Sequence, residues 1–333
     1  MDILANIITT FVINFQLCFD MLIDIGKYNA TVEGWRWLQS LKTTLQTLVI
    51  DQLMPATAGV GLAIAVVFFL ISMIGLVTED RFTPEFLVKF FAKLAIAIAV
   101  ILWSDSILKA MIEFGDALGN MFSDITNNVN LGVNGVSANN AYNDYVSSVI
   151  AHVSTATGYT FEGNINPFEG KWKKTGGGDA VGLIYCIGMA LSMNFSSGLI
   201  IMFSCILIPA LQGSIMFVQL SRYIELYARG AFLPIAGAVM SDDGWKGAGG
   251  RYFKKLFALC TQSAAISLSC VIISVCEQAY LADALVEAAS SASGAIAIVG
   301  VGPKVVLMGG IIAIAGIAFM FKSLNLMNDL WGA

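Results

Sequence analysis

The chain has 333 residues, of which 57% are hydrophobic and 12% are charged, against a charged share of about 25% in ordinary soluble domains. With a formal net charge of −5, it has neither the polar surface of a soluble globule nor the basic face of a nucleic-acid-binding domain. The composition therefore predicts a polytopic membrane protein, and we expect its fold to be all-α.

Residues 1–53 are predicted to form amphipathic helices on the extracytoplasmic face of the membrane. Residues 3–23 are apolar but are interrupted by polar side chains. Trp35–Gln52 has apolar residues at helical spacing and polar residues opposite them. Helices of this kind lie on a membrane or beside it rather than across it.

Residues 54–104 are predicted to form a transmembrane hairpin. No charged residue occurs from Ala56 to Thr78, so this run meets the requirement of about 20 apolar residues for a helix that crosses the hydrocarbon core. The polar turn TEDRFTPE follows it. A second predicted span then runs from Phe86 to Trp103.

Residues 105–125 have two stripes at steps of three and four residues, one apolar and one polar. The charged candidates on the polar stripe are Asp105, Lys109, Glu113, Asp116 and Asp124. We favour a helix that packs flat against other helices at the membrane surface. The alternative is that the acidic stripe lines an aqueous passage.

Residues 126–180 form the one substantial hydrophilic region, rich in Asn, Gly and Ser. With the helix before it, this region makes up a section, 105–180, whose large polar loop is expected to be extracytoplasmic. A short helix is predicted around the apolar stripe Tyr142, Tyr145, Val149, Ile150 and Val153. A loop of this length is often functional.

Residues 181–333 are predicted to form a C-terminal transmembrane region. Because the uncharged run Val181–Ser221 is too long for one crossing, we expect an outer helix near 181–194 and a span near 196–220. Spans near 256–276 and 305–321 bring the total to about five transmembrane helices. Leu281–Pro303 is rich in Ala, Ser and Gly, and we expect a folded loop or a re-entrant piece there.

A predicted cytoplasmic loop, 222–255, concentrates the polar residues of this region. Glu225 is spaced to pair with Arg222 and with Arg229 on one helix face, which makes these three a candidate functional cluster at the cytoplasmic end of a span. A structural ion pair that anchors the helix end is the simpler interpretation. Residues 231–240 are too few to cross a bilayer and are expected to be re-entrant or interfacial.

Other polar residues of this loop are candidates for docking a cytoplasmic ATPase or a neighbouring subunit. They are Asp242, Asp243, Trp245, Lys254 and Lys255. They serve equally well as charges that orient the membrane helices. The distribution of lysine and arginine favours an N-terminus outside and a C-terminus in the cytoplasm.

Three stretches, in matching order, resemble one known family. They are GWRWLQSLKTTLQTLVIDQLMPATAGVGLAIAVVFFLISMIG, EFLVKFFAKLAIAIAVILWSDSILKAMIEFGDAL and SRYIELYARGAFLPIAGAVMSDDGWKGAGGRYFKKLFAL. Their pattern is similar to that of the TrbL-type conjugal transfer membrane proteins of Gram-positive mobile elements, which are polytopic subunits of type IV secretion systems. Residues 126–180 have no counterpart in this pattern.

The resemblance implies a non-enzymatic subunit in the cytoplasmic membrane that helps DNA or protein leave the cell, with no cofactor and no metal site. It implies a homo-oligomer that contacts a type IV secretion ATPase, other membrane subunits and membrane lipids. It also allows single-stranded DNA with its relaxase to touch the chain in transit. The segment GVGPK at 300–304 lacks the spacing of a Walker A motif.

Two other interpretations stay open. A small-solute secondary transporter would show internal repeats and ionisable residues near mid-membrane, and we find no repeat and no charge near the middle of the spans at 56–78, 196–220, 256–276 and 305–321. A purely structural scaffold would hold other subunits without lining the path.

Overall fold

The computed structural model describes residues 28–78, 84–128, 132–133, 136–162, 171–174, 180–243, 246–290 and 295–332. Almost all of these residues are helical, which confirms the predicted helical class. The helices are α1 (Tyr28–Glu33), α2 (Arg36–Thr47), α3 (Met54–Thr78), α4 (Pro84–Leu102), α5 (Ser104–Asn128), α6 (Ala138–Thr157), α7 (Ala180–Ala231), α8 (Leu233–Asp243), α9 (Ala248–Ser290) and α10 (Ala295–Trp331). The amphipathic helix expected at 3–23 lies outside the described residues.

Three stretches of described helix are long and apolar enough to cross a membrane. They are Arg36–Gly75, Ala248–Glu287 and Leu307–Trp331. Phe90–Leu102 and Ser104–Phe122 meet at a bend of 68° and count as a fourth if the pair is one broken span. The chain is therefore compatible with a multi-pass membrane protein.

One helical run replaces the predicted boundary between residues 53 and 54. A π-helical turn, Leu48–Leu53, joins α2 to α3 without a break. Val49 and Ile50 in this turn are buried, whereas Leu48 and Leu53 are exposed. The predicted surface helix and the first predicted span are therefore one continuous element.

The C-terminal half is more continuous than predicted. α7 is a single helix of 52 residues with Pro209 inside it, so the expected break near residue 194 is wrong. α9 extends to Ser290 and α10 begins at Ala295, so most of the loop or re-entrant piece expected at Leu281–Pro303 is helical instead. Backbone groups in apolar surroundings must bond within the chain, which explains why helix continues through weakly apolar sequence.

The chain divides into two compact units. The first comprises residues 1–28, 125–213 and 270–318, and the second comprises 29–124, 214–269 and 319–333.

In the first unit, a helix and two short hairpins occupy the region predicted as a polar loop. Strands β1 (Gly132–Val133) and β2 (Val136–Ser137) pair antiparallel, as do β3 (Tyr159–Glu162) and β4 (Lys171–Lys174). α6 contacts β2 and β3. Its buried residues are Ala141, Tyr142, Tyr145, Val146 and Val149, which confirms the helix predicted here and its apolar stripe.

In the second unit, the short helix α8 packs against both helices of the predicted hairpin, α3 and α4. The approach is close because glycines lie at the contacts. A Cβ on Gly61 would lie 2.8 Å from the Pro234 carbonyl oxygen, and one on Gly237 would lie 2.9 Å from Cγ1 of Val100. Residues 231–240, expected to be re-entrant or interfacial, are thus largely a helix whose residues 233, 234, 236, 237 and 238 are buried.

Candidate functional site

Two glycines bring α5 and α9 into backbone contact. A Cβ on Gly115 would lie 1.9 Å from the Cys260 carbonyl oxygen, and one on Gly119 would lie 3.0 Å from Oγ of Ser263. Small residues four positions apart are a common device for the close approach of two membrane helices. This crossing carries Asp116, the residue next to Gly115, to the face of α5 that meets α9.

Arg222 of α7 is buried beside this crossing, with 1% of its surface exposed. Its Nε donates to the Leu259 carbonyl oxygen at 3.0 Å, and its Nη2 donates to the Cys260 carbonyl oxygen at 3.0 Å. Its Nη1 donates to Oε1 of Gln219 at 3.0 Å. The guanidinium therefore uses second lone pairs of α9 carbonyls, in addition to side chains.

Two carboxylates and a second cation complete the arrangement around this guanidinium. Asp116 Oδ1 lies 3.4 Å from Arg222 Nη2, and Asp116 Oδ2 accepts from Lys42 Nζ at 2.6 Å. Glu33 Oε1 lies 3.9 Å from Arg222 Nη1.

Glu33 is also held by neutral donors. Its Oε1 accepts from Gln219 Nε2 at 2.8 Å and from Ser263 Oγ at 2.6 Å. We call the set Glu33, Lys42, Asp116, Gln219, Arg222 and Ser263 the Arg222 cluster.

The Arg222 cluster contains two formal positive charges and two formal negative charges, so it is neutral as a whole. The side chains of Lys42, Asp116 and Glu33 are 19%, 28% and 19% exposed, while that of Arg222 has no exposed surface. Removing one partner from a buried ion pair costs about 3–5 kcal/mol because it leaves an uncompensated charge. The cluster therefore fixes α1, α2, α5, α7 and α9 to one another.

The predicted cluster on α7 forms only in part. Arg229 Nη2 donates to Glu225 Oε1 at 2.5 Å, and both side chains are about one-third exposed. The predicted pairing of Arg222 with Glu225 is wrong, because the Arg222 guanidinium points to the buried face of α7, toward Asp116 and Glu33. Tyr252 Oη donates to the Arg229 carbonyl oxygen at 2.6 Å, which ties the end of α7 to α9.

Four of the five predicted docking residues lie on α8 and α9. Lys255 is exposed on α9. Lys254 is half-buried at a cavity of about 440 Å³ whose lining also includes Met111, Phe253, Phe257 and Trp331. Asp242 and Asp243 end α8, with side chains that the structure does not describe, and Trp245 lies outside the described residues.

The charged residues predicted as one stripe on α5 have different surroundings in the structure. Lys109, Glu113 and Asp124 are exposed, and Asp105 is half-buried and accepts from Ser106 Oγ at 3.4 Å. Asp116 belongs to the Arg222 cluster instead. Three residues of the predicted apolar stripe, Phe114, Met121 and Ile125, are exposed rather than buried.

The sequence reasoning missed several members of the Arg222 cluster. Lys42 falls among the polar residues of the predicted helix Trp35–Gln52, and no sequence motif marks Glu33, Gln219 or Ser263. Two signals pointed to them: an arginine that ends an uncharged run needs partners, and Gly115 and Gly119 mark a close helix crossing. Within the described ranges, no group of three or more His, Cys, Asp and Glu side chains could hold a metal ion.

Compared with known proteins, the chain matches no family model, no curated protein and no solved structure. None of these comparisons identifies a TrbL-type or type IV secretion family.

Proposed function

We propose that this chain is an integral membrane subunit of a type IV secretion system that helps DNA or protein cross the cytoplasmic membrane during conjugation. One observation carries the proposal. The three stretches that resemble TrbL-type proteins, residues 34–75, 85–118 and 221–259, all belong to the second compact unit. A shared sequence pattern that coincides with one folded unit is what a common structural module would produce.

The contacts inside this unit support a rigid structural role for it. The Arg222 cluster joins all three stretches, because Lys42 lies in the first, Asp116 in the second and Arg222 in the third. α8, from the third stretch, packs against the helices of the first and second. A subunit that assembles with partners in a membrane needs such a rigid body.

In the proposed arrangement the chain has about five transmembrane helices, a large extracytoplasmic polar region at 126–180, an outside N-terminus and a cytoplasmic C-terminus. The contacts of Glu33 with Arg222 and of Lys42 with Asp116 do not agree with residues 28–53 on the extracytoplasmic face and Arg222 at the cytoplasmic end of a span, so the proposal places residues 28–53 beside Arg222 instead. It forms a homo-oligomer and contacts a secretion ATPase and other membrane subunits. Single-stranded DNA with its relaxase touches the chain during transfer. Lys255 is exposed near the start of α9, where a cytoplasmic partner would meet it.

The test is transfer of the mobile element from a donor that lacks this gene. We expect transfer to be lost on deletion and restored by the wild-type gene. Among complementing variants, Lys255→Glu is expected to lower transfer while the protein remains in the membrane, because it reverses a charge proposed to dock a partner. Lys322→Glu is the matched control, since Lys322 is also exposed but lies in α10, outside the docking set.

The results distinguish a secretion subunit with a docking role for Lys255, a subunit in which Lys255 only orients the helices, and a pure scaffold. Unchanged transfer after deletion of the gene would refute the secretion proposal. Equal transfer with Lys255→Glu and Lys322→Glu would leave Lys255 as an orienting charge. A pure scaffold is tested by placing photoreactive residues at the exposed positions Lys109 and Glu113, because cross-linking to DNA during transfer would show that this face meets the substrate.

A small-solute secondary transporter is the second candidate, and one observation favours it. Glu277 is a buried carboxyl, 2% exposed, inside the candidate span Ala248–Glu287. Buried ionisable groups within membrane helices mark ion pathways in many transporters.

A further inference from the structure

Glu277 is a buried acid in the first unit whose Oε1 atom has no hydrogen-bond partner among the residues that the structure describes. It lies on α9, within the candidate span Ala248–Glu287. Its neighbours on the same helix, Ile273 and Ser274, are also buried, at 4% and 1% exposed. The carboxyl group is therefore enclosed.

Glycines of α10 lie against the Glu277 carboxyl group on the side away from α9. A Cβ on Gly309 would lie 3.2 Å from Glu277 Oε2 and 3.6 Å from Oε1, so the carboxyl group lies directly against the backbone at this position. Gly310 is also buried. At Gly316 a Cβ would lie 2.2 Å from Cδ1 of Ile273, which shows that α9 and α10 are also close one turn before Glu277.

The charged and titratable groups nearest this carboxyl are engaged elsewhere or exposed. Lys304 of α10 binds Glu287 through Nζ, with both oxygens at 3.0 Å, and both side chains are more than half exposed. Tyr280 Oη donates to the Lys304 carbonyl oxygen at 3.2 Å. Asp283 is exposed. The Lys304 charge is thus taken by a surface carboxylate rather than by Glu277.

An ionised carboxylate enclosed in apolar surroundings without a counter-charge is too costly to persist, so the group must carry a proton or a bound cation. We propose that Glu277, enclosed by α9 and the Gly309–Gly310 segment of α10, is a binding site for one small monovalent cation, either a proton or an alkali-metal ion. The site does not depend on the secretion proposal.

The test uses dicyclohexylcarbodiimide, an apolar reagent that adds to a protonated carboxyl group in a membrane-buried site. The purified full-length protein, with Cys276→Ser to remove the exposed neighbouring thiol, is treated in liposomes at a series of pH values. Mass spectrometry of the α9 peptides locates the adduct. We expect an adduct on Glu277 that increases several-fold as the pH falls.

Two variants and a comparison of salts define the site more closely. Glu277→Gln, which keeps the side-chain shape, should lose the adduct, while Glu287→Gln, which alters an exposed carboxyl on the same helix, should leave it unchanged. Protection by sodium, lithium or potassium chloride relative to choline chloride at fixed pH would identify an alkali-metal ion. Pure pH dependence without protection would identify a proton.

Two outcomes would overturn the site. The first is no adduct on Glu277 at any pH in protein that size-exclusion chromatography shows to be folded. The second is an adduct whose yield changes with neither pH nor cation, since a carboxyl group that exchanges no cation is not a binding site. Neither outcome would change the effect of a gene deletion on conjugal transfer. Failure of the cation site and failure of the secretion proposal are therefore distinguishable.

Discussion

Arg222 Nη2 lies 3.4 Å from Asp116 Oδ1, although 106 positions of sequence separate the two residues. The other oxygen of Asp116 accepts from Lys42 at 2.6 Å, so one carboxylate contacts two cations from two different helices. Because the Arg222 side chain has no exposed surface, water contributes little to its charge balance. The stability of the second unit should therefore depend on this pair far more than on ion pairs at its surface.

Arg222→Met is expected to destabilise the protein strongly. The substitution keeps an apolar side chain of similar length but leaves Asp116 and Glu33 with only Lys42 as a counter-charge. We expect a loss of about 3–5 kcal/mol in the free energy of unfolding, measured by denaturation in detergent micelles. Arg229→Met is the matched control and should cost about 0.3–0.5 kcal/mol, because the pair that it breaks is about one-third exposed. Similar losses for the two variants would contradict a buried, charge-balanced cluster.

Asp116→Asn should partly rescue Arg222→Met. Alone, Asp116→Asn leaves Arg222 and Lys42 facing a single carboxylate, Glu33, and should be destabilising. Combined with Arg222→Met, it restores a balance of one positive and one negative charge, so the double variant should be more stable than the sum of the two single effects. The coupling is measured with a double-mutant cycle and should be about 1–3 kcal/mol. Additive effects would mean that the two side chains do not interact.

Gly115→Ala is expected to disrupt the crossing of α5 and α9. Its methyl group would lie 1.9 Å from a backbone oxygen of α9, and relieving that overlap requires the helices to separate. Gly119→Ala should cost less, because its contact at 3.0 Å is with the Ser263 side chain, which can rotate. Unfolding midpoints of the two variants test the order. A more stable Gly115→Ala protein would show that the helices do not cross at this point.

Gly61→Ala and Gly59→Ala form a matched pair on α3. A methyl group on Gly61 would meet the Pro234 carbonyl oxygen at 2.8 Å, whereas one on Gly59 has nothing within 4 Å. Gly61→Ala should therefore destabilise the packing of α8, while Gly59→Ala should be neutral or slightly stabilising, since alanine favours helix by about 1 kcal/mol. Limited proteolysis near residues 244–247 would report the release of α8. Equal cleavage of both variants would contradict the packing described.

Cysteine labelling should distinguish the two sides of α5. In a chain whose six native cysteines are replaced by serine, Lys109→Cys and Glu113→Cys should react with a charged, water-soluble maleimide, because both positions are exposed. Phe114→Cys is also exposed but is expected to face lipid, and should react only with an apolar maleimide. Equal reactivity of all three positions with the charged reagent would place the whole face in water.

The sequence was a good guide wherever one helix could be judged by itself. Uncharged length predicted α3 and the central part of α9, and the apolar residues Tyr142, Tyr145 and Val149 at helical spacing predicted α6. These features depend on local spacing and on apolar length, which a single sequence contains.

The contacts between helices were not predictable in the same way. Glu225 has the spacing to pair with Arg222, yet the guanidinium binds Asp116 because α5 and α9 offer a buried acid and two carbonyl oxygens. Glu33 and Ser263 meet across 230 positions of sequence. Helical spacing states which residues share a face, but it does not state which other helix that face meets.

The π-helical turn at Leu48–Leu53 sets the phase of the long helix that contains it. A π turn holds one more residue than an α turn, which offsets the faces on either side of it by about 100°. Lys42, before the turn, reaches Asp116, and Gly61, after it, meets Pro234. Deleting one residue from 48–53 would convert the turn to regular α-helix, and the two contacts could then no longer form at once. The π-helical turn thus sets the rotation of the helix that allows both the Lys42 contact in the Arg222 cluster and the Gly61 contact with Pro234.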